Sequence, residues 1–143
     1  MSKDLPIHEK RIIEAHVRGI KLGRLAFENA SMNEYELEQY NTFVEQRLSG
    51  LPLQYILGTQ AFYGREFYVN TQVLIPRPET EGLVEMVLKT VSDKNQKIFG
   101  LDFGTGSGCI AVTLALELSA SKVWAADCEN ETLAVAIENA RKY

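Results

Sequence analysis

Apolar residues recur at two periods along this chain, and the change of period divides it. From about Pro6 to Phe27 the positions Ile12, Ile13, His16, Val17, Ile20 and Phe27 follow helical spacing, with a further break near Gly23. His16 lies on that stripe and reads as a packed core histidine, while His8 reads as exposed. Ser31 and Glu34 have the spacing of a capping box, and a second helix follows. Leu37, Tyr40, Val44 and Leu48 mark its apolar stripe, and Gly50 with Pro52 marks its stop. Residues 1–50 thus predict a small helical unit.

Beyond it the pattern shortens. Ala61-Phe62-Tyr63 and Glu66-Phe67-Tyr68-Val69 flank Gly64-Arg65, which predicts a β-hairpin turning at glycine. In Ile75-Pro76-Arg77-Pro78-Glu79-Thr80-Glu81 two prolines hold the backbone extended around Arg77. Pro78 then opens a helix whose first turn carries Glu79 and Glu81, where the macrodipole favours acids. Its apolar face is Leu83, Val84, Met86, Val87 and Val91. Two short apolar runs, each ending in an acid, come next. Ile98 to Asp102 leads into Gly104-Thr105-Gly106-Ser107-Gly108 and a helical segment, Ile110 to Leu118. Val123 to Asp127 leads into a last helix, about Glu129 to Arg141, with Leu133, Ala136, Ile137 and Ala140 inward. Strand, glycine loop, helix, strand is the opening of a parallel, nucleotide-binding α/β sheet with buried strands.

Composition narrows this only a little. The 143 residues are 45% apolar and 24% charged, with net charge −4, so a general nucleic-acid binder is disfavoured. The first 24 residues carry six Lys/Arg, Lys3 among them, which reads as a solvated helix face. Cys109 and Cys128 are the only cysteines, in apolar surroundings and without metal-ligand spacing. Both read as core residues, and no metal is expected. No apolar run is long enough to span a membrane. The start, Met1 to Pro6, lacks the apolar segment of a secretory leader. The setting expected is reducing and cytoplasmic.

The loop chemistry is more specific. Glycines let the main chain turn sharply and let a ligand approach it closely. A helix start offers unpaired N–H groups. Asp102 can anchor the loop, and Asp127 can accept both hydroxyls of an adenosine ribose. The dinucleotide spacing Gly-x-Gly-x-x-Gly fails, because Cys109 stands at its last position. A phosphate-binding Walker loop is excluded, since no Gly-Lys-Ser/Thr follows.

Asp102-x-Gly104-x-Gly106-x-Gly108 resembles the first motif of S-adenosylmethionine-dependent methyltransferases. The wider order resembles the PrmC/HemK family over about residues 35–143: Pro52 to Gly58, Phe62-Tyr63-Gly64, Phe67-Tyr68-Val69, Leu74 to Glu81, then Asp102 to Gly108. The resemblance implies a Rossmann-like methyltransferase fold and methylation of the glutamine amide in the Gly-Gly-Gln motif of peptide chain release factors. It implies a helical substrate-recognition domain over 1–58, a linker hairpin over 59–74, and the first part of the methyltransferase domain over 75–143. It assigns Asp102, Gly104, Thr105, Gly106, Ser107, Gly108 and Asp127 to S-adenosyl-L-methionine, and Arg77, Pro78, Glu79 and Thr80 to a substrate loop. Release factors are the partners implied, without a membrane or direct nucleic-acid contact.

The family's acceptor motif, Asn-Pro-Pro-Tyr, occurs nowhere in these 143 residues. An incomplete, inactive chain is therefore expected. Its α/β part is expected to be marginal alone or covered by a second copy, because two parallel strands leave apolar surface open. The alternatives are a methyltransferase of nucleic-acid base amines and a helical interaction module without catalysis. The Arg77–Glu81 run and the acidic charge oppose the first; the intact glycines and Asp127 oppose the second.

Overall fold

The computed structural model describes residues 4–28, 30–91, 97–119 and 121–143. Lys3 and the Met1–Lys3 part of the leader reading lie outside them. Two compact units divide at Leu57 and Gly58.

The first unit is helical: α1 (Ile7–Val17), a 3-10 turn (Leu22–Phe27), α2 (Glu34–Leu48) and α3 (Leu53–Leu57). The continuous first helix expected from the periodicity is broken earlier than Gly23. Gly19 takes φ 61°, so its N–H reaches the His16 carbonyl and the Ile20 N–H reaches that of Ala15, a Schellman ending. Gly50 ends α2 by the same pair of bonds, to Arg47 and Gln46. The capping box belongs to Asn33 and Glu36, not Ser31 and Glu34. The Asn33 side chain accepts from the Glu36 N–H at 2.9 Å, and the Glu36 carboxylate accepts from the Asn33 N–H at 2.8 Å.

Ile13 and Ala15 are buried, but His16 is exposed, its ring centroid 5.9 Å from that of Phe43. Phe27 and Leu37 are exposed as well, so the periodic stripe overstated this unit's core. The basic residues that the fold engages are paired: Lys10 with Asp4, Arg18 with Glu14, and Arg47 with Glu9 through two 2.9 Å bonds between α1 and α2. Arg47 holds the Glu9 carboxyl below the usual glutamate range.

The second unit begins with the hairpin of β1 (Thr59–Phe62) and β2 (Arg65–Tyr68). The turn is one residue earlier than Gly64-Arg65. Tyr63 (φ 49°) and Gly64 (φ 71°) are its central pair, both left-handed as a type I′ turn requires. Phe62 and Phe67 meet edge to face at 6.1 Å and are fully buried with Val84 and Cys109. The hairpin is thus part of this unit's core.

α4 (Pro78–Thr90) turns Val84 inward with Leu88 beside it, and leaves Leu83 and Met86 exposed. β3 (Phe99–Phe103), α5 (Cys109–Glu117), β4 (Lys122–Ala126) and α6 (Asn130–Lys142) complete the chain, with β3 and β4 parallel. Gly100, Asp102, Val123 and Ala125 alternate with the other strand residues, and Val123 and Ala125 line an apolar groove with α5 and α6.

The strands are covered on one side only, and the other side is the open apolar surface expected of two parallel strands. Phe99, Leu101, Phe103 and Trp124 lie exposed on a single face, Phe103 at 86%, and Phe99 stacks on Trp124 at 5.7 Å. Cys109 is buried; Cys128 is exposed, against expectation. Among the described residues no helix is long and apolar enough to cross a membrane, and no cluster of metal-ligating side chains forms.

Candidate functional site

Three glycines alternate with Thr105 and Ser107 because the main chain turns left-handed at every second residue. Gly104, Gly106 and Gly108 have φ of 76°, 58° and 77°. Side chains are strained there, which is why the loop between β3 and α5 has this composition. The glycines differ in their surroundings. A Cβ on Gly104 or Gly106 would meet nothing within 4 Å, whereas one on Gly108 would stand 3.2 Å from the Ala136 Cβ and 3.3 Å from its Cα. Gly108 is therefore a contact between α5 and α6; Gly104 and Gly106 leave the main chain open.

Hydrogen bonds hold the loop to both strand ends. The Gly104 and Thr105 N–H groups donate to the Ala126 carbonyl at 2.8 and 3.0 Å. The Thr105 hydroxyl donates to the Asp102 carboxylate at 2.8 Å, and the Gly106 N–H to Asp127 at 3.0 Å. The other Asp127 oxygen accepts from the Cys128 N–H at 2.9 Å. The Gly106 N–H, ahead of the Cys128 N–H, keeps the Asp127 carboxyl below its ordinary range. Asp127 stays partly exposed, so its charged oxygens retain acceptor capacity toward solvent. Burial pushes the Cys109 thiol up, which suits an inert core residue.

Asp102, Thr105, Gly106 and Asp127 therefore form one connected cluster, with Gly104 attached through Ala126. Such a cluster offers an open glycine stretch beside a carboxylate, a fit for a small ligand bearing a hydroxylated sugar. Ser107 is buried and contributes its carbonyl, which accepts from the Asn139 amide at 2.8 Å.

The Arg77–Thr80 run stands apart in its bonding. Arg77 caps α4 in extended geometry (φ −105°, ψ 142°) without a side-chain cap bond, and Pro78 occupies the first turn. Arg77, Pro78 and Glu79 are exposed and Thr80 half-buried. Among the described residues no hydrogen bond joins this run to the glycine loop. Glu81, just beyond, accepts from the Tyr63 N–H at 2.8 Å and fastens the hairpin turn to α4.

Sequence reasoning missed Asn139. The inward face of α6 is Thr132, Val135, Ala136 and Asn139; Ile137 and Ala140 are exposed. The available signal was spacing, since 132, 135, 136 and 139 are one helical face.

A strand, a left-handed glycine loop, a helix and a second strand ending in an acid define the start of an α/β methyltransferase domain. Residues 78–143 match the profile of the ribosomal protein L11 methyltransferase family (PrmA), and residues 2–58 match the PrmC N-terminal domain. The chain is 39% identical over 133 residues to a release factor glutamine methyltransferase of Bacillus cereus, covering 91% of this chain and 47% of that protein. It is 49% identical over 114 residues to that of Bacillus subtilis (78% and 40%). It is 40% identical over 142 residues to that of Chlorobaculum tepidum (96% and 48%). The chain is thus similar to the release factor glutamine methyltransferases over most of its own length, and it spans about half the length of these relatives.

Proposed function

We propose that the second unit provides the methyl-donor side of an S-adenosylmethionine-dependent glutamine methyltransferase. The acceptor is the side-chain amide of the Gly-Gly-Gln motif in a peptide chain release factor. The observation that carries this reading is the tie of Asp127 to the Gly106 N–H, with Gly104 and Gly106 open beside it. The donor supplies an electrophilic methyl group on a sulfonium. Asp127 would accept the ribose hydroxyls, while Gly104 and Gly106 would admit the donor against the main chain. Asp102 and Thr105 would keep that chain in place.

An amide nitrogen is a weak nucleophile, so the protein's contribution to the rate is orientation. Extended Arg77 and the first turn of α4 behind it, exposed at Pro78 and Glu79, would meet the release factor, and the helical unit would recognise its body. The domain assignment read from the sequence, 1–58, 59–74 and 75–143, belongs to this reading, as does a cytoplasmic setting. The Asn-Pro-Pro-Tyr motif that the family resemblance makes responsible for the acceptor is not among the 143 residues. These residues alone would therefore not complete the transfer.

Incubation with a release factor and methyl-labelled S-adenosylmethionine tests this. No label should enter the glutamine with the 143 residues. Label should appear when the C-terminal half of the Bacillus subtilis relative is fused behind them. Labelling by the 143 residues alone, or none by the fusion, would overturn the reading.

A further inference from the structure

We infer that Asn139 is a positioning residue for the glycine loop, an inference that rests on the reading of that loop as the donor site. Asn139 is fully buried on α6, and all of its hydrogen bonds go to main chain. Its carbonyl oxygen accepts from the Tyr68 N–H at 2.7 Å, and its amide nitrogen donates to the Tyr68 carbonyl at 3.0 Å. The second amide hydrogen goes to the Ser107 carbonyl at 2.8 Å. This pattern also fixes the orientation of the amide, because the reverse one would set an oxygen against two carbonyls.

The bond to Ser107 matters through the peptide unit it holds. The Ser107 carbonyl and the Gly108 N–H belong to one peptide plane. The N–H side is held by the Thr105 carbonyl at 2.9 Å, and the carbonyl side by Asn139. Gly106 and Gly108 flank this stretch in left-handed conformations, and glycine has low barriers to other ones. Without Asn139 the plane would keep one anchor and could turn, re-aiming the main chain between Gly106 and α5. Asn139 thereby couples the loop to β2, whose turn is in turn fastened to α4 by Glu81. The hairpin is a strut between the glycine loop and α4, the helix that Arg77 caps.

The test compares Asn139→Ala with Val84→Ala, which removes buried core volume but none of the loop's hydrogen bonds. Binding of S-adenosylhomocysteine is measured by calorimetry well below the melting temperatures of both variants. Asn139→Ala removes the three hydrogen bonds of a buried side chain and should weaken binding about tenfold, the share expected of the single bond to Ser107. Val84→Ala should stay near the parent affinity despite its lower stability. Equal weakening in both variants, or none in Asn139→Ala, would overturn the inference. Amide exchange in the free protein gives a second readout: the Gly108 N–H should exchange faster in Asn139→Ala than in Val84→Ala, and equal rates would overturn it. If the parent chain binds no S-adenosylhomocysteine, the donor-site reading fails, while the exchange comparison still decides whether Asn139 holds the loop. Should Asn139→Ala fail to fold, Asn139→Ser takes its place in both measurements with the same outcomes.

Discussion

Gly108 and Gly104 separate two reasons for a glycine that sequence alone treats as one. Both are left-handed, so alanine at either position incurs about 1–2 kcal/mol of backbone strain. Only at Gly108 does the new methyl collide with a neighbouring helix, at Ala136. Overpacking of that kind adds about 1–3 kcal/mol. Urea denaturation should therefore show a clearly larger loss of stability for Gly108→Ala than for Gly104→Ala. Equal losses would mean that Ala136 can withdraw and that Gly108 is not a packing glycine. The three glycines were legible as a left-handed loop because few other residues tolerate that backbone. Asn139 was not legible, since its polarity hid its place on the inward face of α6. His16, Phe27 and Leu37 misled in the opposite direction: their spacing was helical, but all three side chains are exposed.

Between elements, the joints decide the site. Asp127 ends β4 and holds the loop that follows β3, through the Gly106 N–H. Its carboxyl titrates below the ordinary range, so the charged form is the one the fold favours. The stabilisation is present above the unfolded aspartate value, near pH 4, and is lost as pH falls through the lower folded value. The amide resonance of Gly106 should follow this titration with a midpoint below about 3.9, and should lose it in Asp127→Asn. A midpoint at or above the ordinary value would contradict the tie. Most of the element order was readable: apolar period, caps, prolines and glycines pointed to two helices, a hairpin, a helix, strand, loop, helix, strand and helix, but not to the 3-10 turn Leu22–Phe27 or to α3 (Leu53–Leu57). The boundaries moved where local hydrogen bonding chose among similar residues. Asn33 capped α2 in place of Ser31, Gly19 broke the first helix ahead of Gly23, and Tyr63 entered the turn.

For the molecule as a whole, the sequence read β3 and β4 as apolar strands made for burial and expected two of them alone to leave apolar surface open. One face does line the groove with α5 and α6, and the other displays Phe99, Leu101, Phe103 and Trp124. Burial depends on what lies across the sheet; the composition of one strand does not encode it, but the number of strands did foretell an open face. The central claim needs only the second unit: the donor lies along Gly104 to Gly108 with Asp127 at its ribose. A titration of the isotopically labelled chain with S-adenosylhomocysteine, followed by amide resonances, tests it most directly. Saturable shifts at Gly104, Gly106, Gly108 and Cys128, with α1 and α2 unmoved, are the result predicted. No saturable shift, or shifts confined to residues 1–57, would contradict it.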